Sequence, residues 1–371
     1  MKTIESDIVV IGGGIVGCAS AYYLAQRGVS VVLLERSAIG SEGSGRNGGG
    51  VRQQCRDLRE LPLAMASVKL WEHLEDDLGF DLEYQQGGNI RLAATEDRME
   101  ELTTLGEQEL ATGLEVEVWD RGQLKERAPY LADLFIGAKY CATDGVANPI
   151  LATKAFGWAA ERAGAHLMVH TEATEIRLQS GRVSSVLACG ANGEVEIGTS
   201  TVINAAGLWA AHISRTVGVD LPLRPVRAIL VTTEPLPPLF AEFISSHDVG
   251  IYTRPTRSGG VHVGTVGVRE YTSKKGIPIW ALRHLARIGQ MIPALENVNF
   301  LRAWAGSLAM TPDGVPILGP ADGIDGYVLA TGFSGHGFCL GPIVGLLLSE
   351  LVVDGKPSLS LDKFRLSRFD V

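Results

Sequence analysis

The chain has 371 residues, more than one hydrophobic core comfortably serves, so two domains are expected. Its formal charge of −9 argues against a nucleic-acid partner, and its five scattered cysteines form no zinc, iron–sulfur or disulfide pattern. The 45 glycines cluster at 40–50, 259–267 and 332–345, which points to backbone pressed against a ligand.

Asp7-Ile8-Val9-Val10-Ile11 is a short apolar run suited to a buried parallel strand. Gly12-Gly13-Gly14-Ile15-Val16-Gly17 follows at once and reads G-x-G-x-x-G. Cys18 to Arg27 has helical composition and stops at Gly28, and Ser30 to Leu34 is a second apolar strand closed by Glu35. Gly12 permits the tight turn, Gly14 lets main-chain amides approach a pyrophosphate, and Gly17 lets helix and strand pack closely. The helix N-terminus offers N–H groups and partial positive charge to phosphates. Glu35 follows Gly12 by 23 residues, where a carboxylate accepts from ribose hydroxyls. Together these predict dinucleotide binding. No apolar stretch precedes Ser6, and Ile343–Val353 is broken by Ser349 and Glu350, too short to span a bilayer. A cytoplasmic protein without a transmembrane segment is expected, with peripheral membrane association left open.

Ile39 to Val51 is too glycine-rich for a regular element, and 60–78 reads as an amphipathic helix. A strand is expected at 88–92 and a charged helix near 96–111. Asn148-Pro149 opens a helix that runs to Gly164, followed by a strand at His166–Val169. Segments 182–189 and 194–203 read as paired strands leading into Asn204-Ala205-Ala206-Gly207-Leu208-Trp209. A strand-rich block covers 222–268, a helix 279–291, and Tyr327 to Gly332 is again strand then glycine turn before a helix at 341–353. Nucleotide-domain text thus returns twice after interruption. The expected class is α/β plus β: a discontinuous Rossmann-like domain (1–80, 145–220 and 309–371) threaded by an antiparallel-sheet substrate domain (81–144 and 221–308).

Four stretches in this order resemble flavoproteins of the D-amino-acid oxidase type, which include glycine oxidase, sarcosine oxidases and amino-acid dehydrogenases. They are Gly12–Gly17 with Glu35; Gly43-Ser44-Gly45-Arg46-Asn47-Gly48-Gly49; Asn204-Ala205-Ala206-Gly207; and Met310-Thr311-Pro312-Asp313-Gly314 with Gly332-Phe333-Ser334-Gly335-His336-Gly337-Phe338. Gly50-Val51-Arg52-Gln53-Gln54 and Trp304-Ala305-Gly306 are most similar to sarcosine oxidase β subunits and to subunits of proline, hydroxyproline and opine dehydrogenases. The resemblance implies bound FAD, held by Gly12, Gly14, Ile15, Val16, Gly17, Glu35 and Arg36, and by Ser44, Arg46, Asn47, Gly48 and Gly49. It adds Ala173, Ala205, Gly207 and Trp209, then Gly332, Gly335, His336, Gly337 and Phe338 near the flavin's pyrimidine edge.

Departures from these relatives matter too. Gly306 stands near where monomeric sarcosine oxidases attach flavin through cysteine, and Leu151 and Ala152 where some β subunits tether FMN through histidine, so non-covalent FAD is implied. The carboxylate-binding arginine that some relatives carry beside Trp-Ala-Gly is absent from Trp304-Ala305-Gly306-Ser307-Leu308. Arg52 becomes the candidate clamp, with Arg56 in reserve, each alternatively a flavin-domain salt bridge; Tyr252 and Arg254 are further substrate candidates. His262 stands where an oxygen-activating lysine would be, which favours a dehydrogenase passing electrons to a quinone, dye or partner subunit over a fast oxidase using oxygen. The implied reaction moves a hydride from the α-carbon of an amino acid or amine to flavin N5, and the imine hydrolyses to a keto acid. No protein nucleophile is required. His262 and His336 are the candidate bases should one be needed, as 2-hydroxy-acid oxidation would need; the main chain of His336 alone is the plainer reading. A flavin subunit inactive without its partner is the remaining alternative.

Overall fold

Ile8–Ile11 is buried at every position, as a parallel strand covered on both faces must be. The computed structural model, which describes residues 2–191, 193–265 and 276–369, places it inside a six-stranded sheet. Strand order is Ile317–Pro320, Tyr327–Thr331, Thr201–Asn204, Ile8–Ile11, Val31–Glu35 and His166–Val169, parallel save for the first pair. Helices Ile15–Gln26, Pro149–Arg162 and Gly337–Asp354 cover one face and share a core with Ile8, Val10 and Leu33. Asn148 caps the second of these by accepting from the N–H groups of Ile150 and Leu151.

The other face packs against a four-stranded sheet of Lys2–Glu5, Gly193–Gly198, Arg182–Gly190 and Thr171–Gln179. Segment 194–203 therefore divides. Residues 193–198 pair with 182–190, whereas Thr201–Asn204 enters the six-stranded sheet beside Ile8–Ile11. The Thr199 hydroxyl forms the corner, accepting from the Thr201 N–H at 3.3 Å and donating to the Asp7 carbonyl at 2.9 Å.

Three helices also differ from expectation. Segment 60–78 breaks into Leu61–Trp71 and Leu74–Leu78, because exposed Glu72 and His73 interrupt the apolar stripe and a change of axis buries Leu74 and Leu78. Helix Gly337–Asp354 begins four residues before the expected 341 and carries Pro342 inside it. Its 18 residues suffice in length and composition for a bilayer, which corrects the shorter reading of 343–353, but most of its window is buried in the core. Segment 279–291 is helical only as Ile279–Leu285, continuing as a 3-10 turn over Ala286–Gln290.

An eight-stranded sheet runs Phe300–Met310, Arg224–Thr233, Val261–Thr265, Ile251–Pro255, Phe243–Ser246, Asn89–Ala93, Gly137–Cys141, Glu117–Asp120. The last three positions of the 222–268 block lie outside the described residues. One pair departs from the antiparallel expectation: Phe243–Ser246 lies parallel to Asn89–Ala93. Parallel neighbours need a long crossover, and here the chain between them passes through the nucleotide-binding sheets. Alternation gives the sheet two unlike faces. Ile90, Leu92, Ile229, Val231, Ile251 and Val263 form an apolar outer core. The inner face carries Arg91, Ser245, Tyr252, Arg254 and His262, in register across neighbouring strands.

Helix Gly337–Asp354 meets helix Ile15–Gln26 through glycine. A Cβ on Gly345 would stand 2.6 Å from the carbonyl carbon of Ala19, so the helices must separate to admit one. Overpacking of this kind costs about 1–3 kcal/mol or more. Gly345→Val is expected to lower the melting temperature by several degrees, measured by circular dichroism; an unchanged midpoint would show that the helices can part freely.

Candidate functional site

The first glycine turn is fixed by main-chain contact. Gly12 adopts φ +113°, and a Cβ there would lie 2.5 Å from the Ala205 carbonyl oxygen. A Cβ on Gly17 would lie 2.0 Å from the Gly12 carbonyl oxygen. Gly14 occupies the N-cap of Ile15–Gln26 with no side-chain cap, and Gly14, Ile15 and Val16 line a cleft of about 1300 Å³ that includes an open mouth. Glu35 closes the turn: its carboxylate accepts from the Gly13 N–H at 2.8 Å and the Ser37 N–H at 2.7 Å. Arg36 stacks 3.6 Å above the Trp209 ring and pairs with Glu42 at 3.7 Å. Ala173, Ala205 and Gly207 complete this end of the lining.

The second glycine loop lies against the first. Ser44 Oγ accepts from the Ile15 N–H at 3.0 Å. Asn47 donates to the Ser44 carbonyl at 2.7 Å and accepts from the Gly49 N–H at 2.7 Å, which sets the turn leading to Gly48 and Gly49. Arg46 bonds the Ser41 and Ala305 carbonyls, and Trp304 Nε1 donates to the Arg46 carbonyl. The cleft ends among Ser307–Ala309, Gly332, Gly335, Gly337 and Phe338. Sequence reasoning missed Ser307, Leu308 and Ala309, although they continue the Trp304-Ala305-Gly306 stretch, and it missed Glu42, Glu172 and His212, which no motif marks. Of the expected cofactor residues, Gly17, Arg46, Gly48, Gly49 and His336 are not among those that line the cleft.

The inner face of the eight-stranded sheet stands behind this second loop. Tyr252 stacks on Phe243 with centroids 5.4 Å apart, and its ring fills the space a Cβ would take on Gly48 or Gly264, at 2.6 and 2.1 Å. Both positions must therefore be glycine. Arg254 donates to the Gly48 and Pro255 carbonyls. Burial draws its pKa down to about 10. His262 meets Trp304 edge-on at 5.2 Å and its Nδ1 has no partner. Burial, then Arg254, pushes its pKa to about 3.

Arg52 turns back over its own loop to bond the Gln54 and Cys55 carbonyls, and burial, then Arg56, holds its pKa well below the ordinary range. Arg56 makes the buried pair with Glu60 at 3.5 Å and also donates to the Arg52 carbonyl. His336 Nδ1 lies 2.9 Å from the same Glu60 carboxylate, and burial, then Arg56, pushes its pKa to about 4. Cys339 donates to the Arg52 carbonyl at 3.4 Å, which ties the Arg52 loop to the helix that ends the cleft.

Comparison with known proteins agrees with this geometry. The family described as "FAD dependent oxidoreductase" matches residues 7–351. The chain is 28% identical over 372 residues to glycine oxidase of Geobacillus kaustophilus, covering 98% of this chain and 97% of that protein. It is 29% identical over 376 residues to sarcosine oxidase subunit beta of Rhizobium meliloti, covering 98% and 88%. The crystal structure of L-proline dehydrogenase from P. horikoshii superposes with a TM-score of 0.93 at 32% identity, covering 99% of this chain and 98% of that one. The phosphate turn, the acid at Glu35, the second glycine loop and the C-terminal glycine turn thus assemble as one cleft in a chain that belongs to the family of FAD-dependent oxidoreductases.

Proposed function

We propose that this protein oxidises the C–N bond of a primary or secondary amino acid, with its carboxylate held near Arg52. The carrying observation is a pair of buried guanidinium groups, Arg52 and Arg254, that flank the second glycine loop and are answered among the described residues by main-chain carbonyls. The cleft fits FAD: Gly12 and Gly17 admit no Cβ, Gly14 exposes main chain at a helix N-terminus, and Glu35 stands at the adenosine end. Among the described residues no cysteine lines it, which supports non-covalent binding. Bound FAD supplies the two-electron acceptor.

The chain's own residues do the rest. Arg52 and its neighbours orient the carboxylate and so fix the α-carbon hydrogen toward the cleft. The low-polarity wall of Tyr252, Phe243 and Trp304 excludes water and favours the deprotonated amine, whose lone pair drives imine formation as the hydride leaves. Water then hydrolyses the imine to a keto acid and the amine or ammonia. No protein base is needed, which matters because His262 and His336 are poor ones at about 3 and 4. A 2-hydroxy acid would need such a base, so the amine reading is favoured. An uncharged His262 does not take the place of the oxygen-activating lysine, which supports electron transfer to a quinone, dye or partner protein over rapid reaction with oxygen; the cation beside the second glycine loop is Arg254.

Anaerobic mixing with L- and D-amino acids, sarcosine, proline, opines and 2-hydroxy acids tests this reading. Bleaching of the flavin absorbance by one amine class is expected. Bleaching by hydroxy acids alone would replace the reading, and no bleaching at all would mark a subunit awaiting its partner. Arg52→Ala is expected to retain FAD while raising KM for carboxylate substrates about 10- to 100-fold, the loss of one charge-assisted bond. An unchanged KM removes Arg52 from the clamp.

The histidines also predict an acid limit. Each has an ordinary pKa of 6.5 and a folded value of about 3 (His262) or 4 (His336). Between these values the unfolded chain binds the proton and the folded chain does not, so stability is full above pH 6.5 and falls as pH drops toward the folded values. By pH 5 the loss is up to about 2 kcal/mol per histidine. The urea midpoint should fall between pH 7 and pH 5, and His262→Gln should flatten that dependence; parallel pH profiles for variant and wild type would contradict it.

A further inference from the structure

The inner sheet face holds a buried guanidinium with nothing to bind. Arg91 is 8% exposed, its Nε has no partner, and among the described residues its side chain makes no hydrogen bond or ion pair. A cation taken out of water without a partner is strongly unfavourable. Burial lowers its pKa, and nearby Cys55 and Asp144 offset that only in part.

The surrounding charges sort into pairs and a remainder. Arg56 pairs with Glu60 at 3.5 Å, the fully buried Lys139 pairs with Glu109, and Arg98 pairs with Glu101. Burial, then Arg91, pushes His247 to about 4, so it is neutral at pH 7. Next to the Arg52 loop, Arg52, Arg91 and Asp144 remain, two guanidinium groups and one carboxylate, while Arg254, two residues beyond Tyr252 on its strand, lies on the Gly48 and Pro255 carbonyls. Asp144 is fully buried, accepts from the Gln53 N–H at 2.7 Å through Oδ1, and leaves Oδ2 without a partner. Even with Asp144 ionised, this group carries one positive charge in excess.

The same place gathers orphaned polar atoms. Asn89, Gln54 and Ser245 are 0%, 0% and 1% exposed, and Asn89 Nδ2 and Oδ1, Gln54 Oε1 and Ser245 Oγ all lack partners. Asn89 and Arg91 share a strand face, and Ser245 sits opposite Arg91 in register. The Arg52 loop is pinned onto that face: Gln54 donates to the Asn89 carbonyl at 2.7 Å, and the N–H of Cys55, held at φ +56°, donates to Glu109. Buried polar groups in folded proteins are nearly always satisfied, so a cluster of orphans marks a missing ligand or water.

We propose that Arg91 is the second half of the substrate clamp, forming with Arg52 a buried monoanion site that one carboxylate neutralises and that Asn89 and Ser245 help to orient. This rests on the assignment of Arg52 to the substrate carboxylate. It also explains why Arg91 lies buried beside a like charge: the site is unfavourable when empty and satisfied when filled.

The test uses the FAD-loaded protein with pyrrole-2-carboxylate and its neutral counterpart pyrrole-2-carboxamide, read by flavin absorbance perturbation and by melting temperature. Wild type is expected to bind the carboxylate in preference and to melt higher with it. R91M should weaken the carboxylate about 10- to 100-fold and leave the carboxamide unchanged. Without ligand, R91M should melt at or above wild type, because it removes the excess buried charge; a merely structural arginine would lower it. R91K keeps the charge but not the fork, should weaken the carboxylate about 3- to 10-fold, and serves if R91M does not accumulate. Carboxylate binding unchanged in R91M, or equal loss of both ligands with a lower melting point, overturns the proposal, as does full affinity in R52M. Carboxylate binding as described with bleaching by 2-hydroxy acids alone would leave the anion site standing and refute amine oxidation instead.

Discussion

The arrangement depends on main chain touching main chain. A Cβ on Gly17 would lie 2.0 Å from the Gly12 carbonyl oxygen, and one on Gly45 would lie 2.0 Å from that of Gly40. The two loops repeat one device: glycines five residues apart, the second pressed on the carbonyl of the first. In the first loop this closes the strand–helix turn; in the second it folds the 40–45 segment so that Ser44 reaches the Ile15 N–H. At these glycine turns the cleft wall is backbone, whose polar groups are fixed by covalent geometry rather than by rotamer choice. That suits a long ligand bound at many points.

The second glycine loop then couples the two sheets. Its cleft side meets the first turn, while Gly48 and Gly49 on its other side meet Tyr252 and Arg254 of the eight-stranded sheet. Gly50–Val51 pairs with Gly145–Val146 just beyond, and Arg52 follows immediately. A displacement of this loop would thus shift the cleft wall and the Arg52 segment together.

Legibility in sequence follows the range of the interactions involved. The unit from Ile8 to Glu35 was readable because each part acts within a few residues of the next: apolar strand, glycine turn, helix, strand, acid. Asn148 with Pro149 was readable for the same reason. The division of 194–203 was not, since the Thr199 corner depends on a contact to Asp7 far away in the chain. The parallel pairing of 243–246 with 89–93 was hidden because nothing local distinguishes an edge from a crossover. Arg91, Asp144, Glu109 and Lys139 are ordinary charged residues in ordinary contexts; only the register of the sheet places them against the Arg52 loop. Conversely, His262 and His336 stood out by motif, yet their surroundings leave both neutral and make them weak bases.

The placement of charge separates two roles that the same fold must fill. Lys139, paired with Glu109, lies where the Arg52 loop is anchored, and Arg56 stands 3.5 Å from Glu60 beside it, with Arg56 Nη1 and Glu60 Oε1 left without a hydrogen bond. The guanidinium groups that are not satisfied, Arg52, Arg91 and Arg254, all face the space between loop and sheet, where at most backbone carbonyls answer them. A protein selected only for stability would have replaced such groups with apolar ones of similar volume. Their gathering on one face is the feature that the proposed anion site accounts for, since a carboxylate placed there would meet cations already fixed in position. The histidines remain neutral in that field, held below their ordinary pKa by burial and by the neighbouring guanidinium groups.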